Sequence, residues 1–217
     1  MDTCCAAAHK TETYLSQQER NPLADQLKGI NHAHPYIASR GITQETAEYF
    51  GVGFFPGEGS MSGRVVIPIH NERGDLVTYA GRAIDGSEPK YRLSAKFERS
   101  QTLFHLFKAW DFWESSLEVS GVVVVEGFFD CMKVWQAGHL CVALMGCSMS
   151  EEQERLLSRF QKVALLLDGN ATGREAVARI VQRLTQTVYV KTPALDQRCN
   201  LDHMSHQDIS ELLSLNV

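Results

Sequence analysis

Two unbroken blocks of aliphatic residues, each ending at a carboxylate and a glycine, constrain the fold of this chain most. They are Val122-Val123-Val124-Val125-Glu126-Gly127 and Leu165-Leu166-Leu167-Asp168-Gly169-Asn170. A strand with one wet face alternates apolar and polar residues, whereas a parallel strand covered on both faces reads as a continuous apolar run. The two blocks therefore predict a parallel sheet in an α/β fold. Open α/β sheets bind ligands just beyond the carboxyl ends of their strands. Glu126 and Asp168 fall there, with no lysine or arginine nearby in sequence to neutralise them. Two acids on one rim ask for a metal, and oxygen-only ligands select a magnesium-like ion.

The surrounding pattern supports that sheet. From Val122 strands and helices alternate: strand 122–125, helix 129–137, strand 140–145, helix 150–160, strand 163–167, helix 172–184 and strand 187–190. Such alternation implies parallel strands joined by right-handed crossovers. Ser150 and Gln153 form a capping box at the start of helix 150–160. Asp130 reads as an acid favoured by the dipole at the start of helix 129–137. A further helix is expected over 206–214.

The first half has a different character. Residues 34–50 predict two short helices broken at Gly41, the second opened by Thr43 as N-cap. A short strand follows at 52–55, then a loop with Gly57, Gly59 and Gly63 that lacks the ending of a P-loop. Arg64–Ile69 and Leu76–Ala80 predict a hairpin across Asn71–Asp75. Pro68 cannot donate to a ladder, which suggests an edge strand. Leu103, Leu106, Phe107 and Trp110 share helical spacing and read as core. The domains expected are an N-terminal arm (1–30), an α+β subdomain (31–117), the parallel α/β unit (118–193) and a tail with a short helix (194–217).

Composition narrows the function classes. No apolar stretch approaches the roughly 20 residues that span a bilayer, and the start Met1-Asp2-Thr3 lacks the features of a secretory signal. A cytoplasmic protein without membrane contact is expected. None of the six cysteines forms a Cys-x-x-Cys pair, and Cys4, Cys5 and His9 find no second ligand pair at usable spacing, so no zinc is expected. Net charge is −5, which argues against binding nucleic acid through bulk positive charge. Between Arg64 and Lys108, however, eight basic residues face five acids, leaving −8 for the remainder. That segment suits a strand-binding surface beside a metal site, although a solvated face of mixed charge reads the same way.

Taken in order, several short motifs resemble a known family. Val-Val-Glu126-Gly127-Phe-Phe-Asp130, Leu144-Met145-Gly146-Cys147 and Leu-Leu-Asp168-Gly169-Asn170-Ala-Thr-Gly173-Arg174 resemble a TOPRIM domain. Upstream, Tyr36-Ile-Ala-Ser-Arg40-Gly41-Ile42, Phe50-Gly51-Val-Gly53, Arg64-Val-Val-Ile-Pro68-Ile, Gly81-Arg82 and Pro89-Lys90-Tyr91 run as in the polymerase core of DnaG-type bacterial primases. Leu103-Phe104-His105 matches the segment that precedes the TOPRIM portion. The resemblance covers roughly residues 30 to 205 and implies a Rossmann-like parallel sheet flanked by helices, preceded by a smaller α+β primase-like subdomain.

The activity the resemblance implies is metal-dependent joining of ribonucleotides on a single-stranded DNA template, with nucleoside triphosphates as substrates. Phosphoryl transfer needs positioning and charge neutralisation more than covalent help. Glu126 and Asp168 would be catalytic and, with Asn170, would hold Mg2+ or Mn2+. Arg64, Arg82, Lys90, Tyr91, Gly127, Gly146, Gly173 and Arg174 would contact template or nucleotide. Gly169 and Gly173 would let backbone approach ion and phosphates, at a helix N-terminus that favours anions.

The family pattern at 168–170 is Asp-x-Asp, and Asn170 replaces its second acid with a neutral carbonyl oxygen. Two carboxylates about 5 Å apart repel by roughly 3 kcal/mol at an effective dielectric near 20. Losing one relieves that repulsion and weakens attraction for the cation, so weaker binding, limited to one ion, is expected. The zinc-binding and helicase-binding domains usual in primases do not fit this length, so such functions would come from a partner in trans or be absent. Three alternatives remain open: a catalytically impaired TOPRIM nucleic-acid-binding protein of a mobile-element or phage-related system, a TOPRIM nuclease, and a phosphatase-type Asp-x-Asp-x-Thr site.

Overall fold

The protein was analysed as a computed structural model that describes Leu23, residues 26–116, Val119, residues 121–193, Leu201 and residues 204–214. The arm expected over 1–30 lies almost wholly outside the described residues, as do Cys4, Cys5, His9 and Cys199. Chain order is α1 (Pro35–Ser39), α2 (Gln44–Phe50), β1 (Gly53–Phe55), β2 (Arg64–His70), β3 (Leu76–Ala83), β4 (Tyr91–Arg92) and α3 (Leu106–Ser115). Then come β5 (Gly121–Val125), α4 (Phe128–Gln136), β6 (Cys141–Ala143), α5 (Glu151–Leu157), β7 (Lys162–Leu165), α6 (Ala171–Leu184), β8 (Tyr189–Lys191) and α7 (His206–Ser214). No helix among the described residues is long and apolar enough to cross a membrane.

The strands form two four-stranded sheets, one antiparallel in the order β1-β2-β3-β4 and one parallel in the order β6-β5-β7-β8. The valine block is β5, second in its sheet, and it buries both faces. Val123 and Val125 enter a core shared with α1, α2, β2 and α4, while Val122 and Val124 face α3, α5 and α6. One core therefore joins the two sheets. A bridge between Phe104 and Ala143 on β6 adds a backbone seam, with N–H···O distances of 2.9 and 3.2 Å.

The local signals act as their chemistry requires. Thr43 Oγ1 accepts the Thr46 N–H at 3.2 Å, and Gly51 closes α2 in the left-handed region at φ 70°. Ser150 and Gln153 complete the capping box of α5. Asn71 Oδ1 accepts the N–H groups of Arg73 and Asp75 to shape the β2–β3 turn, where Gly74 has φ 88°.

Two expectations need correction. Pro68 lies on β2, an inner strand, because β1 is only three residues long and its pairing stops at Val66. Pro68 is thus past the end of β1, and only the β3 side carries a ladder there. Phe107 is 41% exposed, because α3 starts at Leu106 and turns Leu106, Ala109 and Trp110 inward instead. Leu103 is buried ahead of the helix.

Candidate active site

β5 and β7 pair directly, with Val124 opposite Leu165. Their chains leave the sheet side by side, and the Asp168 N–H donates to Glu126 Oε1 at 3.3 Å. Both side chains line a cleft of about 320 Å³ at the carboxyl end of the sheet. Burial raises the pKa of Glu126, and the nearby charge of Asp168 raises it further. A carboxylate pushed up by a like charge is one that a cation would stabilise.

The wall facing these acids comes from the first half of the chain. Arg82 on β3 and Tyr91 on β4 line it, with the Arg82 guanidinium 4.9 Å from the Tyr91 ring centroid and its Nε donating to Tyr36 Oη at 3.1 Å. Lys90 lines it from the loop that begins at the cis Glu88–Pro89 bond. Gly127 and Gly146 also line the cleft. Gly127 is the N-cap of α4, and a Cβ there would lie 2.6 Å from Asp130 Oδ2. Asp130 occupies the first turn of that helix.

Four expected site residues stand outside the cleft lining. Arg64 is buried, and its Nη1 donates to the carbonyls of Gly81 at 3.1 Å and Pro89 at 2.9 Å, so it braces the loop that carries Lys90. Arg174 is exposed and turns its guanidinium to the Gly169 carbonyl. Gly173 is a packing requirement, since a Cβ there would lie 2.0 Å from the Asp168 carbonyl oxygen. Asn170 is the N-cap of α6, with Oδ1 accepting the Gly173 N–H at 2.9 Å.

Conversely, three charged residues absent from the expected set line the cleft: Arg40, Arg99 and Asp130. Arg40 ends α1 and lies over the Phe129 ring at 5.2 Å. Arg99 reaches in from a 3-10 turn and donates to the Met145 carbonyl at 3.2 Å. Arg40 stood in a quoted motif and Arg99 in the basic segment, but neither signal says which way a side chain faces. Among the described residues, no three His, Cys, Asp or Glu side chains converge to hold a metal. The donors that do meet, Glu126 and Asp168, are oxygen-only and fit a hard divalent cation.

Two families match the chain: Toprim-like over residues 123–209, and the N-terminal domain of the DNA primase catalytic core over residues 59–110. The chain is 29% identical to the DNA primase of Thermotoga maritima over 209 aligned residues, covering 78% of this chain and 36% of that protein. It is 35% identical to the DNA primase of Synechococcus elongatus over 133 residues, 58% of this chain and 19% of that one. It thus spans about a third of the length of the first curated relatives it matches. Among solved structures, the zinc-binding and RNA polymerase domains of Aquifex aeolicus primase align at 25% identity and a TM-score of 0.73, over 94% of this chain and 60% of that one. A DnaG primase catalytic domain bound to single-stranded DNA shares the fold at 20% identity and a TM-score of 0.71, over 97% and 80% of the two chains. With the two matches in the chain order of that core and its fold recurring along nearly the whole sequence, the chain carries a Toprim-like segment and resembles the catalytic core of DnaG-type bacterial primases.

Proposed function

We propose that this chain synthesises RNA primers on single-stranded DNA, joining nucleoside triphosphates with the help of Mg2+ or Mn2+. One observation carries the proposal: Glu126 and Asp168 meet in a cleft whose lining also includes Arg40, Arg82, Lys90 and Arg99. Acids for a cation and bases for phosphates, in one cleft, suit phosphoryl transfer. A bound divalent ion would neutralise charge on the phosphate oxygens and lower the pKa of a ligated hydroxyl.

The chain's own groups divide the remaining work. Glu126 and Asp168 would hold the ion. Arg40, Arg82, Lys90 and Arg99 would take the triphosphate and template phosphates through charge-assisted hydrogen bonds. Tyr91, stacked under Arg82, keeps that guanidinium in place. In the reaction a 3′-hydroxyl oxygen bonds to the α-phosphorus, the bond to pyrophosphate breaks, and the hydroxyl proton leaves. Glu126 would assist by accepting it.

The test is extension of labelled ribonucleotides on single-stranded DNA with Mg2+ or Mn2+, comparing wild type with Glu126→Gln. Primer-length products from wild type, reduced about 100-fold or more in the variant, are expected, a loss in keeping with removal of a group essential to transition-state charge. Cleavage of the template without synthesis would turn the reading to a nuclease. Binding of template with neither product would turn it to a binding protein.

A further inference from the structure

Resting on the function proposed above, we infer that the cleft takes a single divalent cation, on Glu126 and Asp168, and that Asn170 serves helix α6 and not the ion. Asn170 sits only two residues beyond Asp168, where a third oxygen ligand could stand. Its Oδ1, however, accepts the Gly173 N–H at 2.9 Å, and its backbone has the extended conformation of an N-cap, φ −71° and ψ 172°. The residue is exposed and does not line the cleft that Glu126 and Asp168 line. Turning Oδ1 towards an ion would leave the first turn of a 14-residue helix without that acceptor.

Charge balance points the same way. Besides Glu126 and Asp168, Asp130 is the remaining acid of the cleft, and the three do not converge into a joint ligand set. Four basic side chains, Arg40, Arg82, Lys90 and Arg99, line the same space. They already outnumber the acids before any ion enters. A second divalent ion would have to be held against that positive field with Asp130, which shares no joint ligand set with the other two acids, as the one further carboxylate lining the cleft. The basic side chains can instead supply the phosphate neutralisation that a second ion would provide.

Mn2+ binding to the full chain, followed by electron paramagnetic resonance of the free ion, tests this without reference to catalysis. The Glu126→Gln/Asp168→Asn double variant should bind one Mn2+ fewer per chain than wild type, whatever other sites contribute. Asn170→Ala should keep the Mn2+ Kd of this site within threefold while lowering the melting temperature, and Asn170→Asp, which can also cap, should keep the melting temperature. Loss of two ions in the double variant, or a tenfold weaker Kd in Asn170→Ala, overturns the inference. Primer synthesis accompanied by loss of two ions defeats the single-ion site alone. One ion with no synthesis defeats the polymerase reading alone, and no difference between wild type and double variant defeats both.

Discussion

Glu126 ties the chemistry to stability because its pKa is raised by burial and by Asp168. A carboxyl with a higher pKa in the folded state binds protons better folded than unfolded. Stability therefore falls as pH rises from the ordinary glutamate value through the raised folded value. Without divalent cation, Glu126→Gln is expected to raise the melting temperature by a few degrees at pH 7 to 8. The gain should shrink as pH drops into the ordinary glutamate range. Differential scanning calorimetry at several pH values checks this, and a gain that persists unchanged in acid would contradict the cause assigned. Gly173 shows the other kind of constraint, since the tight first turn of α6 under Asp168 has no room for a methyl group.

At the scale of elements, α5 does more than cover the sheet. Gln153 Oε1 accepts the Ser150 N–H at 3.1 Å, closing the capping box. Its Nε2 meanwhile donates into the carbonyls of Arg99, Thr102 and Leu144 at 3.0 to 3.1 Å. Gln153 is 2% exposed, so truncation would leave those carbonyls in a dry site. Gln153→Ala is expected to cost on the order of 3 kcal/mol, against about 1 kcal/mol for Ser150→Ala, which removes only a cap. Urea denaturation of the two variants measures the difference, and equal costs would show that the buried amide holds nothing beyond the cap. Because Gln153 fixes the turn that carries Arg99, its loss should also weaken the template binding proposed above.

Across the whole molecule, His105 links the two halves. It adopts the left-handed conformation at φ 67°, uncommon for a residue with a side chain. Its Nδ1 lies 2.8 Å from the Cys141 carbonyl on β6, and its Nε2 lies 3.3 Å from Tyr49 Oη on α2. A carbonyl partner requires that Nδ1 carry the proton, so Nε2 accepts from the tyrosine. Burial lowers the His105 pKa to about 4 and raises that of Tyr49 to about 12. The folded state thus prefers neutral His105, and its contribution is full above pH 6.5 and is lost as pH falls towards 4. His70 and His139, also lowered by burial, act in the same direction. His105→Asn, which tolerates the left-handed backbone and does not titrate, should flatten the melting temperature between pH 6.5 and 4. An unchanged slope would assign that acid sensitivity to other groups.

Local chemistry already announced much of this architecture. Uninterrupted valines and leucines meant strands buried on both faces, Thr43 and the Ser150–Gln153 pair marked helix starts, and acids at strand ends marked the rim where ligands bind. These features follow from nearest neighbours and short periods. Which strands became neighbours did not. Glu126 and Asp168 share a cleft because β5 pairs with β7 between β6 and β8, and that order is set by burial summed over distant segments. The same holds for side-chain direction: Arg64 turned inward to brace a loop and Asn170 turned to its helix, while Arg40 and Arg99 faced the acids. A polar residue's partner is whatever long-range packing brings within reach, and no local pattern encodes it.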